Sequence, residues 1–187
     1  MTRHIAALLL RIVGWKPEGS APASRRFVLI AAPHTSNWDL ALLLLFAQVY
    51  GVRVNWMGKH SLFGGPMGWV MRKLGGVPVR RHRSNSLVAQ MAEVIEGSSR
   101  IALTVPAEGT RAYTTHWKSG FYHIARAANV PVVLGFLDYG RRRGGFGPEI
   151  VLTGDLREDM GEIRAFYADK QGRYPEMVGE ILLKEEA

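Results

Sequence analysis

The chain has 187 residues, no cysteine and a formal charge of +8 at pH 7, with 47% of its residues hydrophobic and 21% charged. At roughly 150 residues per domain this is one compact unit able to build its own core, which excludes a disordered chain, a disulfide scaffold, a thiolate metal site and a cysteine nucleophile. Residues 1–150 carry 19 Lys and Arg against 7 Asp and Glu, while residues 151–187 carry 5 against 9, and a basic body with an acidic tail suits a partner that bears phosphate.

In chain order, the first element is a short apolar segment over residues 5–15, broken by Arg11 and preceded by Arg3 and His4. Three readings fit it: a packed helix, a helix lying in the headgroup plane with Ile5, Leu8, Leu9 and Ile12 inward, and a signal peptide with Ala21-Pro22-Ala23 behind it. Arg11 inside the run argues against the last. No stretch reaches the roughly 18–20 apolar residues that span a bilayer. A Pro/Gly/Ser/Ala connector follows over residues 17–25. Beyond it, residues 27–32, 53–57, 77–80, 101–105, 130–137 and 150–152 read as short buried strands, and residues 38–50, 66–74, 86–96 and 117–128 as helices. Gly75, Gly97 and Asn129 stand where helices stop. Alternation of this kind predicts an α/β fold, a largely parallel mixed sheet flanked by helices, within a single domain over residues 1–187. Residues 1–16 stay open between an interfacial and a packed helix, and residues 157–187 read as a charged surface helix broken near Gly172 and Pro175.

Function in a parallel sheet gathers at the carboxyl ends of the strands. The first strand runs into Pro33-His34-Thr35-Ser36-Asn37-Trp38-Asp39, a polar run between an apolar strand and an apolar helix. Ser36 or Asn37 suits the helix cap, and Asp39 then lies in the first turn. On one continuous helix residues five apart diverge by about 140°, so His34 must sit on the loop for its ring to fold back onto Asp39. There the carboxylate holds one ring nitrogen while the other takes a proton from a hydroxyl. The strand at 101–105 runs into Pro106-Ala107-Glu108-Gly109-Thr110-Arg111. Gly109 permits a tight turn, and backbone N–H groups, the Thr110 hydroxyl and Arg111 offer an oxyanion cradle; the plain alternative is a polar loop closed by a Glu108–Arg111 ion pair.

Together these blocks resemble the glycerolipid acyltransferases, the family that includes lysophosphatidic acid acyltransferases. The family's His-x₄-Asp block corresponds to His34–Asp39, and its Pro-Glu-Gly-Thr-Arg block to residues 107–111. Lys59-His60-Ser61-Leu62-Phe63 and Gly76-Val77-Pro78-Val79-Arg80-Arg81 are similar to its second region, with Arg81 in the place of an acceptor-binding arginine. Trp117-Lys118-Ser119-Gly120 and Val130-Pro131-Val132-Val133 follow in the family's order. Ala107, Pro106, Pro78 and Leu134 depart from the usual residues, while the polar functional positions are retained.

The resemblance implies a glycerol-3-phosphate acyltransferase-like fold and an O-acyltransferase similar to 1-acylglycerol-3-phosphate acyltransferases. It implies that a fatty acyl group moves from an acyl thioester, on CoA or acyl carrier protein, to a hydroxyl of a lysophospholipid or glycerol-phosphate-like acceptor. His34 would be the general base and Asp39 its orienting partner, with Arg81, Glu108, Gly109, Thr110, Arg111 and Lys118 on the acceptor and its phosphate. Glu108, beside arginines, is expected to stay ionised and to position Arg111 or the acceptor hydroxyls. Backbone N–H groups near the His34 loop or at the start of the helix after it are the expected oxyanion donors. No acyl-enzyme is required, consistent with the lack of a Gly-x-Ser-x-Gly elbow and of cysteine. No cofactor beyond the co-substrate and no metal is expected, since His60, His116 and His123 lack ligand spacing. The tryptophans and Met57, Met67 and Met71 would line a groove, face a bilayer or fill the core. Residues 5–13 and the basic patches at 72–73 and 80–83 would bind the inner face of a membrane from the cytoplasm. A nucleic-acid-binding module is the rival suggested by charge and by Arg141-Arg142-Arg143, but no nucleic-acid motif supports it, and no nucleic-acid partner is expected. A lipid-binding protein of the same fold without catalysis is the other.

Overall fold

The computed structural model describes residues 2–79 and 84–186. Its elements are α1 (Arg3–Ile12), β1 (Lys16–Gly19), β2 (Arg26–Ala32), α2 (Trp38–Tyr50), β3 (Val54–Lys59), α3 (Gly65–Lys73), β4 (Gly76–Val79), α4 (Ser84–Glu96), β5 (Ile101–Val105), α5 (Gly120–Ala127), β6 (Val132–Asp138), β7 (Arg143–Ile150) and α6 (Leu156–Tyr167). The strands form one sheet in the order β1-β7-β6-β2-β5-β3-β4. The β6–β7 pair is antiparallel and the other pairs are parallel.

Runs such as Phe-Val-Leu-Ile in β2 and Val-Val-Leu in β6 are apolar at consecutive positions, which suits strands covered on both faces. Val28, Ile30, Leu103, Val105, Leu134 and Phe136 face one layer, built by α4, α5 and α6. Phe27, Leu29, Ala102 and Val133 face the other, where Ala47 of α2 packs. Helix α2 is apolar nearly all round because it is itself covered by α1, whose Leu10 meets Leu42 and Phe46. It stops at Gly51, left-handed at φ 71°, whose N–H returns to the carbonyls of Ala47 and Gln48.

Three expectations are corrected. The connector read over residues 17–25 contains most of β1, which pairs with β7 along the sheet edge. Of the strand read at 150–152 only Ile150 is in a strand, as the last residue of β7, which starts at Arg143. The glycines of β7, loop-like in sequence, permit close approach: a Cβ at Gly145 would lie 2.2 Å from the Glu18 carbonyl oxygen of β1. The helix read over 157–187 is confined to α6; beyond Tyr167 the helical segments among the described residues are short 3₁₀ turns, and buried Leu183 bridges Trp117.

Of the three readings for the first segment, packing describes one face of α1. Ala6 and Leu10 are buried, whereas Ile5, Leu8, Leu9 and Ile12 are exposed. No helix among the described residues is long and apolar enough to cross a membrane.

Candidate active site

β2 is flanked by β5 and β6, so the loops leaving all three strands meet at one end of the sheet. The β2–α2 loop holds His34 ahead of the helix, as the geometry of a His-x₄-Asp pair demands. Asp39, in the first turn of α2, is 5% exposed. Its Oδ2 accepts from the backbone N–H groups of Thr35 at 2.9 Å and Ser36 at 2.8 Å, and lies 3.1 Å from His34 Nδ1. A carboxylate can only accept, so Nδ1 carries the proton and Nε2 holds the free lone pair. The His34 side chain is 25% exposed and lines a cavity at this end of the sheet. Asn37 occupies the cap position without a side-chain hydrogen bond; Ser36 Oγ accepts instead from Trp38 N–H at 3.2 Å.

Burial pulls the Asp39 carboxyl upward, but the hydrogen bonds from His34, Tyr139 and Ser36 together outweigh it and hold the group below the usual carboxylate range. An ionised Asp39 can steady both the tautomer and the imidazolium that forms when His34 takes a proton.

The β5–α5 loop approaches from the other side. Gly109 turns at φ 68°, and Lys118 N–H closes on the Ala107 carbonyl at 2.7 Å. Glu108 is 4% exposed and turns beneath the His34 loop, its Oε1 accepting the His34 backbone N–H at 3.0 Å. Its Oε2 has no partner, and no ion pair joins it to Arg111 among the described residues. Burial therefore raises the Glu108 carboxyl, against the expectation of a carboxylate kept ionised by arginines. The backbone N–H groups of His34, Thr35 and Ser36 are committed to Glu108 and Asp39, so of the two expected sources of oxyanion donors these loop groups are not free.

Arg111, Lys118 and Gly109 line the same cavity as His34, with a volume of about 660 Å³ and walls that include Leu40, Leu43, Trp56, Met57 and Phe136. The Thr110 hydroxyl accepts from Ala112 N–H within its own loop. Arg81 lies outside the described residues, as does the basic run at 80–83. Among the tryptophans, Trp15 and Trp117 are core, Trp56 lines the cavity, and Trp38 and Trp69 are more than 60% exposed. No cluster of His, Asp or Glu suited to a metal occurs among the described residues.

The sequence reading missed Tyr139. Its hydroxyl donates to Asp39 Oδ1 at 2.6 Å, and burial, then the neighbouring Asp39, pushes its own ionisation upward. Nothing local in the sequence marks it; it is found only through the placement of β6 beside β2.

Comparison with known proteins decides what this arrangement belongs to. A family model described as acyltransferase matches residues 17–133, more than half of the chain. The chain belongs to the acyltransferase family. No curated protein sequence matches it. Among solved structures it resembles the 1-acyl-sn-glycerophosphate (LPA) acyltransferase PlsC of Thermotoga maritima, at 19% identity with a TM-score of 0.57 over 86% of this chain and 74% of that one. The likeness to that structure is one of fold. The structure brings His34, Asp39, Glu108, Gly109, Arg111 and Lys118 together at one end of the sheet, with Tyr139 beside them.

Proposed function

We propose that the protein transfers a fatty acyl group from an acyl thioester, on CoA or acyl carrier protein, to a hydroxyl of a lysophospholipid or glycerol-phosphate-like acceptor. The observation that carries this reading is the His34 imidazole, fixed by buried Asp39 and set in the wall of a largely apolar cavity that also holds Arg111 and Lys118. Nε2 of His34 takes the acceptor's hydroxyl proton as its oxygen attacks the thioester carbonyl. The tetrahedral intermediate then collapses, the carbon–sulfur bond breaks, and the departing thiolate takes the proton from the imidazolium. General base action of this kind supplies about 10²–10⁴ in rate. The acyl chain occupies the apolar part of the cavity, and Arg111 and Lys118 hold the acceptor phosphate by charge-assisted hydrogen bonds.

The protein acts at the inner face of a membrane. Exposed Ile5, Leu8 and Ile12 on α1, with Arg3 and Arg11 on the same helix, and exposed Met67 and Trp69 on α3, with Arg72 and Lys73, support this placement. Apolar side chains enter the interface while each nearby cation adds about 1 kcal/mol of attraction to anionic lipid.

The test is an acceptor panel with radiolabelled palmitoyl thioesters of CoA and acyl carrier protein, with the parent and His34→Ala compared. Ester product that depends on both thioester and acceptor, and disappears in the variant, is expected. Free fatty acid without ester would identify a hydrolase, and bound acyl chain without any turnover a lipid-binding protein.

A further inference from the structure

We propose that Tyr139 is a positioning residue for the transfer reaction, its hydroxyl pinning the outer oxygen of Asp39 and thereby setting how the His34 ring is held. The proposal rests on the reading of His34 as the general base. Asp39 Oδ2 is occupied by two backbone N–H groups and the imidazole, whereas Oδ1 has Tyr139 as its donor, at 2.6 Å. A carboxylate anchored through one oxygen alone keeps torsional freedom about its own side chain, and anchoring the second oxygen removes it.

Tyr139 is itself fixed from several sides. It follows directly on β6, whose Phe136 is in register with Ala32 of β2, so its ring comes up beside the His34 loop. Its backbone N–H donates to the Gln171 carbonyl at 2.8 Å. Its ring stands edge-on to Trp15, with centroids 4.8 Å apart, and Trp15 belongs to the buried cluster of Leu10, Leu42 and Phe46. The hydroxyl is thus aimed by the packing of α1 and α2 against the sheet.

A short hydrogen bond from a phenol also draws charge out of the carboxylate and so tempers its pull on an imidazolium. Without the hydroxyl, Asp39 would favour protonated His34 more strongly, and Asp39 would itself lose a stabilising donor. Both changes move the acidic side of the activity profile upward in pH. The other ionisable groups facing this pair are Glu108 below the His34 loop, Arg173 beside Tyr139, and Arg111 and Lys118 across the cavity; all remain in a Tyr139→Phe variant.

The experiment compares the parent with Tyr139→Phe, which keeps the ring and its contact with Trp15. Expected are a fall of about tenfold in kcat with acceptor KM unchanged and an acidic limb displaced upward by about one pH unit, the size of one lost hydrogen bond to a charged group. The His34 imidazole titration, followed by NMR of isotope-labelled histidine, shifts in the same direction. Tyr139→Leu is expected to reproduce both displacements and in addition to melt earlier. A Tyr139→Phe protein with the parent's pH limb and the parent's His34 titration would overturn the proposal and leave Tyr139 a packing residue. Should the parent transfer no acyl group to any acceptor, the enzymatic reading fails, while the His34 titration still reports whether Tyr139 acts on the pair.

Discussion

The two loops that form the site are built on opposite principles. In the loop after β2 nearly every polar group is committed: Asp39 takes two backbone N–H groups, an imidazole and a phenol, and the His34 N–H is held by Glu108. In the loop after β5 the exposed Arg111 and Lys118 turn toward the cavity with no ion-pair partner among the described residues. On the proposed function the first arrangement would fix the general base before any substrate arrives, and the second would leave charge available to a ligand that brings its own. Preorganised polar groups are worth most where charge develops during reaction, whereas uncommitted cations suit recognition.

Substitutions in the two loops should therefore fail in different ways. The largest effect is expected from His34→Ala, a loss of at least about 10²-fold in kcat with an unchanged circular dichroism spectrum. Retained turnover would remove the base from the committed loop. Asp39→Asn is expected to cost kcat by a comparable or somewhat smaller factor, because an amide can donate to Nδ1 and favour the wrong tautomer. In Arg111→Ala, steady-state kinetics should show a rise of about 10–100-fold in KM for phosphate-bearing acceptors and little change for acceptors without phosphate. A fall confined to kcat would instead place Arg111 with the reacting groups.

Glu108 belongs to the second loop by sequence and to the first by contact, so it sharpens the contrast. Glu108→Gln keeps a carbonyl for the His34 N–H and should retain activity within about threefold, while Glu108→Ala leaves that N–H unpaired at a cost of about 1–3 kcal/mol. The two variants should also separate in a melting series. A carboxyl raised in the folded state contributes stability below its unfolded value, about 4.3, and loses it as pH rises through the folded value. Glu108→Gln should flatten that decline. Asp39 has the opposite sign: its contribution is present above about 3.9 and disappears as pH falls through its lowered folded value. The smallest effect is expected from Gly109→Ala. The residue sits at φ 68° with a Cβ position 3.0 Å from Lys118, and the substitution should lower stability by about 1 kcal/mol, read as a drop in Tm.

Much of this architecture is legible in the amino-acid order. Residues 38–50 and 101–105 coincide with α2 and β5 because a continuous apolar run ends at unambiguous punctuation, Asn37 and Gly51 in one case and Pro106 in the other. The His34–Asp39 pair could be read because both partners lie within one strand-to-helix turn. β7 escaped because Gly144, Gly145, Gly147 and Pro148 imitate a loop when the neighbours they fit are unknown. The protonation tendency of Glu108 escaped for a related reason: adjacent arginines suggest a charged cluster, and only the coordinates show the side chain turned inward to a backbone 74 positions away. Tyr139 and Asp39 are separated by 100 positions, and no periodicity links them.

The pairing of β5 with β2 runs through backbone groups alone over Arg26–Ile30. The exposed positions between β5 and α5 can thus be varied, with Ala107, Glu108 and Trp117 retained, while β2, which leads into the His34 loop, keeps its register. If Arg111 and Lys118 hold the acceptor as proposed, grafts at these positions from enzymes with other acceptor preferences would retarget the catalyst without rebuilding it.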